Sequence, residues 1–260
     1  MKQLLMCYPK YFDVLYDINP WMTHQIGKVS SDIAVKQWTS LFDKLNSLCR
    51  VNLIEGVPGL PDMVFTANGG IVFNDVAVLS RFSTRERSKE EYFFHAWFQE
   101  EGYDVFQPRS PYEGEGDHLI DSNNRHWLGS GFRSTKKAAR EIENYFDITI
   151  HTLELVDPRW YHLDTCFLPL DNNTIIWYPK AFSHTSQQLI REKFDTLIEV
   201  STEDALKFVC NGVLVKNDLL LPSGSKIIES ISELGYNIHE FNLTEFIKAG
   251  GAAKCLVLTI

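Results

Sequence analysis

The stretch Gly70-Ile71-Val72-Phe73-Asn74-Asp75-Val76-Ala77-Val78-Leu79 places two apolar runs on either side of an Asn-Asp pair. Asn and Asp tolerate the positive φ angles that tight turns require, so this pattern predicts a β-hairpin. The same pattern recurs at residues 118–128, 167–178 and 212–221. Consecutive turns are 49, 49 and 45 residues apart when they are measured at Asn74, Asn123, Asn172 and Asn217. The chain therefore contains an internal repeat of about 50 residues.

A helical pattern and a further short strand follow each predicted hairpin. Several of the helices begin at a Ser that can act as an N-cap, and they cover residues 88–101, 134–145, 183–194 and 223–234. The strands that follow them are predicted at 104–106, 148–150, 196–200 and 236–239. Each unit is thus strand, strand, helix, strand. A fifth unit would combine the C-terminal strand at 255–260 with the N-terminal strand, a helix near 32–47 and a strand at 51–54.

This repeat predicts an α/β fold in which five ββαβ units form a pseudo-fivefold propeller. The ring would close where the two ends of the chain meet in the fifth unit. An open α/β sheet with coincidental spacing is the alternative. No linker or low-complexity stretch divides the sequence, so we expect a single domain over residues 1–260.

Composition and charge argue against several classes of protein. Hydrophobic residues make up 44% and charged residues 23% of the chain, which excludes a disordered, collagen-like or coiled-coil protein. No apolar run approaches the roughly 18 residues of a membrane span, and the first residues lack the pattern of a signal peptide. The net charge of −9 without a basic cluster disfavours nucleic-acid binding. We therefore expect a cytoplasmic protein that binds neither membrane nor nucleic acid.

The cysteines are scattered and odd in number. No CxxC pair occurs, which disfavours both a disulfide framework and a zinc site built on cysteine pairs. We expect free thiols in a reducing compartment, most of them buried and one of them reactive. The five are Cys7, Cys49, Cys166, Cys210 and Cys255.

Polar segments stand immediately before the first strand of each predicted unit. In a ring of equivalent units these segments lie at one end, so their side chains meet although they are distant in sequence. Carboxylates, a histidine and a cysteine would come together there, as expected of an active site. The segments are 61–68, 112–117, 161–166, 210–212 and 250–255.

Each of these residues also has a structural interpretation. A single histidine such as His162 often has a structural hydrogen bond, and Cys255 alone resembles an ordinary buried thiol. The glycines could serve turns, and the carboxylates could be solvated. A metal site made of His162, Asp164 and Asp117 lacks a recognisable ligand spacing. The set is therefore more informative than any of its members.

At these residues the sequence resembles the guanidine-modifying, or pentein, superfamily, which contains arginine deiminase, arginine dihydrolase, dimethylarginine dimethylaminohydrolase and the amidinotransferases. The resemblance covers nearly the whole chain, through residues 18–22, 61–68, 113–117, 156–167 and 250–256. It implies the five-bladed pentein fold and a small cationic guanidino substrate. It also implies catalysis without a metal or a cofactor.

The resemblance implies that Cys255 is the nucleophile, His162 the general acid/base and Glu113 the carboxylate that holds the guanidinium. A guanidinium carbon is a poor electrophile, and a soft thiolate is a suitable attacking group. A histidine can protonate the departing amine and then activate water. The planar guanidinium has five donors, so flanking carboxylates can bind it and oppose its charge.

Further positions match substrate-binding residues of the superfamily. Asp164 matches a second guanidinium-binding carboxylate, and Arg87 and Arg133 resemble the arginines that hold the substrate carboxylate. Asn68 stands where many members have Asp, and its Phe-Thr-Ala-Asn context resembles arginine dihydrolases. Glu115 lengthens the acidic loop, so either Glu113 or Glu115 could reach the guanidinium, and we favour Glu113. Supporting matches are Asp62, Asp117 and Asp121.

The leading hypothesis is a metal-free cysteine hydrolase that cleaves C–N bonds of arginine or a methylated arginine through a covalent thiouronium. It would release ammonia or an alkylamine, with citrulline or ornithine as the other product. The alternatives are a dimethylarginine dimethylaminohydrolase, an amidinotransferase, and a non-catalytic relative that binds the ribosome. The sequence is compatible with a monomer or a homo-oligomer.

Overall fold

The computed structural model describes residues 3–260, except for the side chains of residues 229 and 230. The strands are β1 (Gln3–Cys7), β2 (Arg50–Ile54), β3 (Gly70–Phe73), β4 (Val76–Leu79), β5 (Asp104–Phe106), β6 (His118–Ile120), β7 (His126–Ser130), β8 (Ile150–Glu154), β9 (Phe167–Pro169), β10 (Thr174–Trp177), β11 (Thr196–Glu199), β12 (Val213–Val215), β13 (Asp218–Pro222), β14 (Asn237–Phe241) and β15 (Leu258–Thr259). The α-helices are α1 (Ser31–Leu48), α2 (Glu90–Glu100), α3 (Gly114–Asp117), α4 (Lys136–Phe146), α5 (His184–Lys193), α6 (Thr202–Ala205), α7 (Ile228–Ser232) and α8 (Thr244–Ile247).

The strands of the described residues form five three-stranded sheets of one design. In each sheet the middle strand pairs antiparallel with one neighbour and parallel with the other, and a helix connects the parallel pair. This arrangement confirms the predicted mixed α/β fold with repeated ββαβ units. The sheet orders are β3-β4-β5, β6-β7-β8, β11-β10-β9, β12-β13-β14 and β15-β1-β2.

The fifth sheet joins the two ends of the described chain, as the repeat predicted. Leu5 of β1 pairs antiparallel with Leu258 of β15, and β1 runs parallel to β2 on its other side. The Thr66 hydroxyl donates to the backbone oxygens of Leu5 at 2.9 Å and of Leu256 at 3.0 Å. These contacts fix the residues just before β15, which include Cys255, against the segment that precedes β3.

The hairpin turns show which residues take the left-handed backbone. Asn74 and Asp75 both have positive φ, at 52° and 60°, so the predicted tight turn is confirmed there. In the hairpin of β12 and β13, Lys216 takes the left-handed position at 56°. The connection consists of Lys216 and Asn217, and Lys216 rather than its Asn neighbour has the positive φ that such a turn requires.

Three predicted helix starts differ from the observed ones, and the first is α2, which has Lys89 rather than Ser88 at its N-cap. Ser183 caps α5 as predicted, but α4 begins one residue later than expected, because Thr135 accepts the backbone N–H of Ala138 at 3.1 Å. Ser134 instead accepts the backbone N–H of Glu113 at 2.9 Å. The fourth unit has only the short α7, where the sequence predicted a helix over 223–234.

The apolar faces of the helices pack against the sheets and form the core. Leu41 and Leu45 of α1, Phe94 of α2, Ile142 of α4 and Ile190 of α5 are fully buried. Burying a side chain of this size contributes about 1.5–3 kcal/mol, so these contacts hold each helix on its sheet. The polar segments that precede the first strands lie outside these apolar contacts. No helix within residues 3–260 combines the length and apolarity needed to cross a bilayer.

Candidate active site

A narrow cavity lies where the segments before the first strands meet. Cys255 and the backbone of Gly250 and Gly251 form one wall. Gly251 has no room for a side chain, because a Cβ there would lie 2.5 Å from the ring of Phe65. The full lining is Ile18, Asn19, Met22, Asp62, Phe65, Asn68, Arg87, Arg133, Tyr161, Ala249, Gly250, Gly251 and Cys255.

The Cys255 thiol contacts an acid on one side and an amide on the other. Its Sγ donates to Asp164 Oδ2 at 3.1 Å and accepts from Asn211 Nδ2 at 3.2 Å. Burial and the neighbouring Asp164 carboxylate raise the pKa of Cys255 well above its usual value. Burial also raises the pKa of Asp164 to about 7. Both effects favour the protonated thiol, and a bound cation that offsets the Asp164 charge would favour the thiolate.

His162 and Glu113 form a buried pair near the loop that carries Cys255. His162 Nε2 lies 2.7 Å from Glu113 Oε2, and both residues are at most 1% exposed. Glu113 Oε1 accepts the backbone N–H and the hydroxyl of Ser83, at 3.0 and 2.8 Å. Burial raises the pKa of Glu113, but Arg133 and His162 outweigh it, so its pKa lies well below the usual value. Glu113 is thus an anion that orients an imidazole for proton transfer.

The two candidate arginines have different surroundings. Arg87 binds Glu90 with two hydrogen bonds, of 3.0 and 2.8 Å, and donates to Asn68 Oδ1 at 2.8 Å. Arg133 donates to Glu113 Oε2 at 3.2 Å, and its guanidinium lies 4.7 Å from the centre of the Tyr161 ring. Arg87 is therefore already neutralised by a carboxylate of its own.

Several buried polar atoms around the cavity have no hydrogen-bond partner within the described residues. Asp62 Oδ1 and Asn68 Nδ2 belong to residues that line the cavity, and Asp164 Oδ1 belongs to the carboxyl group that binds the Cys255 thiol. Asp62 Oδ2 accepts the Tyr16 hydroxyl at 2.8 Å, so the carboxylate is held with one oxygen unused. A buried polar group without a partner costs about 1–3 kcal/mol, and native proteins rarely keep one without a reason. A polar ligand is the reason that fits three such atoms around one site.

The acidic loop points its two glutamates to different places. Glu115 Oε2 accepts from Lys254 Nζ at 2.6 Å and from the backbone N–H of Thr259 at 2.9 Å, in a second cavity. Gly114 between the glutamates has φ +54°, and a Cβ there would lie 2.6 Å from the backbone nitrogen of Gly70. This turn leaves Glu113 beside His162 and removes Glu115 from the site.

Two of the three supporting aspartates, Asp117 and Asp121, lie at opposite ends of β6. Asp117 accepts the backbone N–H groups of Leu163 and Ser134, both at 3.1 Å, and so fixes the loops that carry His162 and Arg133. Asp121 follows β6 in the hairpin turn, where its Oδ2 accepts from Arg125 at 2.6 Å and from Trp127 at 2.8 Å. The structure does not bring Asp121 to the cavity, because three strand residues, about 10 Å, separate it from Asp117.

Some residues of the site were not among the sequence-based candidates. Asn211 belongs to the fourth polar segment, and its position before β12 was a usable signal. Tyr16 and Glu90 carry no signal in the sequence, because they reach Asp62 and Arg87 only through the tertiary structure.

The metal alternative finds no support in the side-chain arrangement. His162, Asp164 and Asp117 each bind a different protein partner, as described above. Among residues 3–260 no group of three or more His, Cys, Asp or Glu side chains is arranged to hold a metal ion.

A family model described as "N,N dimethylarginine dimethylhydrolase, eukaryotic" matches residues 19–260. This chain belongs to that family. The predicted relationship to the guanidine-modifying superfamily is thereby confirmed.

Among the similar proteins, some are named as arginine dihydrolases and others as dimethylarginine dimethylaminohydrolases. The bifunctional arginine dihydrolase/ornithine cyclodeaminase AgrE of Nostoc is 43% identical over 99% of this chain, and the chain spans 38% of that protein's length. An N(G),N(G)-dimethylarginine dimethylaminohydrolase of Mycobacterium tuberculosis is 38% identical over 100% of this chain and 86% of its own. The crystal structure of the N-terminal domain of ArgZ, covalently bound to a reaction intermediate, matches with TM-score 0.98 and 42% identity, covering 100% of this chain and 97% of that one.

Proposed function

We propose that this chain is a cysteine hydrolase that acts on the guanidino group of arginine. The observation that carries the proposal is the contact between three chain segments. The Cys255 thiol hydrogen-bonds to Asp164, and His162, two residues before Asp164, pairs with Glu113. The similarity to the arginine dihydrolase AgrE and to the ArgZ domain with its covalent intermediate supports both the substrate and the covalent route.

The substrate guanidinium binds between the carboxylates of Asp164 and Glu113. Asp164 Oδ1 has no partner among the described residues, and a fork of N–H donors can satisfy it. Arg133 now occupies Glu113 Oε2, so the substrate cation displaces it and frees it to bind the substrate carboxylate. Asp62 and Asn68 offer the remaining unpartnered atoms to the polar end of the substrate, and Arg87 holds Asn68 in place.

The bound cation offsets the charge of Asp164 and so favours the Cys255 thiolate. Sγ attacks the guanidinium carbon, and His162 donates a proton to the departing nitrogen, which leaves as an amine. The remaining carbon is a thiouronium on Sγ. His162 then removes a proton from water, the hydroxyl adds to the carbon, and the C–S bond breaks to return the thiolate. A dihydrolase repeats this on citrulline: a second ammonia leaves, and the carbamate that remains on the side-chain nitrogen loses carbon dioxide to yield ornithine.

A dimethylarginine dimethylaminohydrolase is the second candidate function, because the family model and the Mycobacterium relative carry that description. In that reaction dimethylamine leaves and citrulline is the product. The Phe-Thr-Ala-Asn context of Asn68 favours the dihydrolase.

Product analysis separates these functions. The chain is incubated with arginine, asymmetric dimethylarginine or agmatine, with and without glycine as an amine acceptor, and the products are identified by mass. We expect ornithine and ammonia from arginine. Citrulline and dimethylamine from the methylated substrate would replace the proposal with the second candidate. A guanidino group transferred to glycine would indicate an amidinotransferase, and no turnover of any guanidine would indicate a non-catalytic relative.

We also propose that the five sheets close into a pseudo-fivefold propeller as one domain over residues 1–260. The pairing of β15 with β1 supports closure, since it leaves the fifth sheet built from both ends of the chain. The free thiols of Cys7, Cys166, Cys210 and Cys255 fit a reducing compartment such as the cytoplasm. A single calorimetric unfolding transition is expected, and two separable transitions would contradict the single domain.

A further inference from the structure

Asn211 is a fully buried residue that lies between the nucleophile's loop and Asp164. It precedes β12 in the fourth unit and contacts residues of two other units. Its Nδ2 donates to Cys255 Sγ at 3.2 Å and to the backbone oxygen of Asp164 at 3.0 Å. A single side chain thus touches the sulfur and the residue that carries the opposing carboxylate.

The other end of the Asn211 amide fixes its orientation. Oδ1 accepts the backbone N–H groups of Ala252, Lys254 and Cys255, at 3.1, 3.1 and 3.3 Å. An NH2 group cannot accept these bonds, so the oxygen must face the loop and the NH2 group must face Sγ. Three donors on the oxygen also polarise the amide and strengthen its N–H donors.

The charges around Sγ show why a donor is needed there. Asp164 Oδ2 on one side opposes a negative charge on sulfur. His162 Nε2 is engaged with Glu113 Oε2. A thiolate at Cys255 therefore needs another donor, and a hydrogen bond to the charged form of a group lowers the free energy of that form.

We infer that Asn211 is a catalytic residue that donates a hydrogen bond to the Cys255 thiolate while its carbonyl oxygen holds the nucleophile's loop. The inference rests on the proposed function for its place in a reaction. The claim that the Asn211 donor stabilises the Cys255 thiolate can be tested without any guanidino substrate.

The main test is the pH dependence of Cys255 alkylation by iodoacetamide, followed by mass spectrometry of the Cys255 peptide. Asn211→Asp keeps the size of the side chain and its accepting oxygen, but replaces the donor by an acceptor. Asn217→Asp in the exposed turn between β12 and β13 is the matched control, since it makes the same change in the same unit. Circular dichroism and thermal unfolding show which variants are folded.

We expect the Asn211→Asp rate at pH 7.5 to fall about 10- to 100-fold, with the alkylation midpoint moving to higher pH, because a donor to a charged group has about this effect. The control should keep the wild-type midpoint. Asn211→Ala, which adds no charge, should show a smaller shift in the same direction. If Asn211→Asp does not fold, the alkylation midpoint of Asn211→Ala decides the test.

An unchanged alkylation midpoint in a folded Asn211 variant would overturn the inference. The outcome is also separable from the proposed function. If the wild-type chain turns over no guanidine but the Asn211 variants still shift the midpoint, the proposed function is wrong and the role of Asn211 stands. If turnover is present and the midpoint does not move, only the inference about Asn211 fails.

Discussion

Two cavities lie next to the loop that carries Lys254 and Cys255. Cys255 lines the first, the site cavity, whereas Lys254 lines the second cavity together with Glu115 and Cys210. In the second cavity Lys254 Nζ lies 2.6 Å from Glu115 Oε2, so these two charges are paired. Asp62 and Asn68 line the site cavity, and each keeps a polar atom without a partner within the described residues. Asp164, which lines the second cavity and binds the Cys255 thiol, also keeps one unpartnered oxygen.

Buried charges that pair with each other stabilise the fold, whereas buried polar groups with an unpartnered atom are available to bind a ligand. A satisfied pair such as Lys254–Glu115 has no capacity left for a substrate. A buried polar group that lacks a hydrogen-bond partner raises the free energy of the unliganded protein, and a ligand that supplies the partner removes this cost. The hydrogen-bond partners of each polar atom therefore distinguish the Lys254–Glu115 pair from Asp62, Asn68 and Asp164, although both groups contain carboxylates.

The largest expected effect is the loss of turnover in Cys255→Ser. A hydroxyl is far less ionised and less nucleophilic than a thiol, so turnover should fall by at least about 1,000-fold. Cys210→Ser is the matched control, because Cys210 lines the second cavity, and it should stay within a few-fold of wild type. Ammonia release from arginine is the measurement. Full activity in a folded Cys255→Ser variant would rule out the covalent route and with it the assignment of the site cavity.

Asp164→Asn should lower turnover about 100-fold but stabilise the protein at alkaline pH. Burial raises the pKa of Asp164 to about 7, above its unfolded value. The stability that this carboxyl contributes is therefore full below the unfolded pKa of about 4 and is lost as pH rises through about 7. Asn has no such loss, so the Tm of the variant should exceed that of wild type by several degrees at pH 8 and by less at pH 5. A Tm difference that does not change with pH would contradict this account.

Arg133→Ala should raise the KM for arginine about 10- to 100-fold, because a charge-assisted bond to the substrate carboxylate is lost. Agmatine lacks that carboxylate and provides the internal control, so its KM should change by a few-fold at most. Initial rates with both substrates give the comparison. Equal KM increases for the two substrates would mean that Arg133 acts on the guanidinium end or on folding instead.

The smallest expected effect on turnover belongs to the second cavity. Lys254→Met leaves Glu115 buried without its partner and should destabilise the fold by about 3–5 kcal/mol, with turnover reduced less than tenfold. The double variant Lys254→Met with Glu115→Gln should recover part of this stability, because the unpaired charge is gone. Urea unfolding measures the free energy of unfolding of the single and the double variant. If the double variant is no more stable than Lys254→Met, the unpaired charge of Glu115 is not the cause of the lost stability.

Much of the site was predictable because it follows the repeat. The segments before each first strand occupy equivalent positions, so Cys255, His162 and Glu113 were expected to meet. Asn211 occupies the same position in the fourth unit, and the repeat could have revealed it. Tyr16 and Glu90 could not have been found, since they lie outside the repeated positions and act on Asp62 and Arg87 through contacts between distant segments.

The direction of individual side chains was not predictable. Glu113 and Glu115 are chemically identical and two residues apart. A left-handed backbone at Gly114 turns the two glutamates to different cavities. Asp121 lies beyond β6, where a hairpin turn uses its carboxylate.

The sequence alone determined the ββαβ repeat, the fifth unit shared between the ends of the chain, and the classes of residue that meet before the first strands. These follow from hydrophobic periodicity and turn chemistry, which are local properties of the chain. The tertiary structure decided which carboxylates keep an unpartnered oxygen, which are neutralised by a cation, and which side of Sγ receives a donor. Such partnerships depend on contacts between segments distant in sequence, and local patterns carry no information about them.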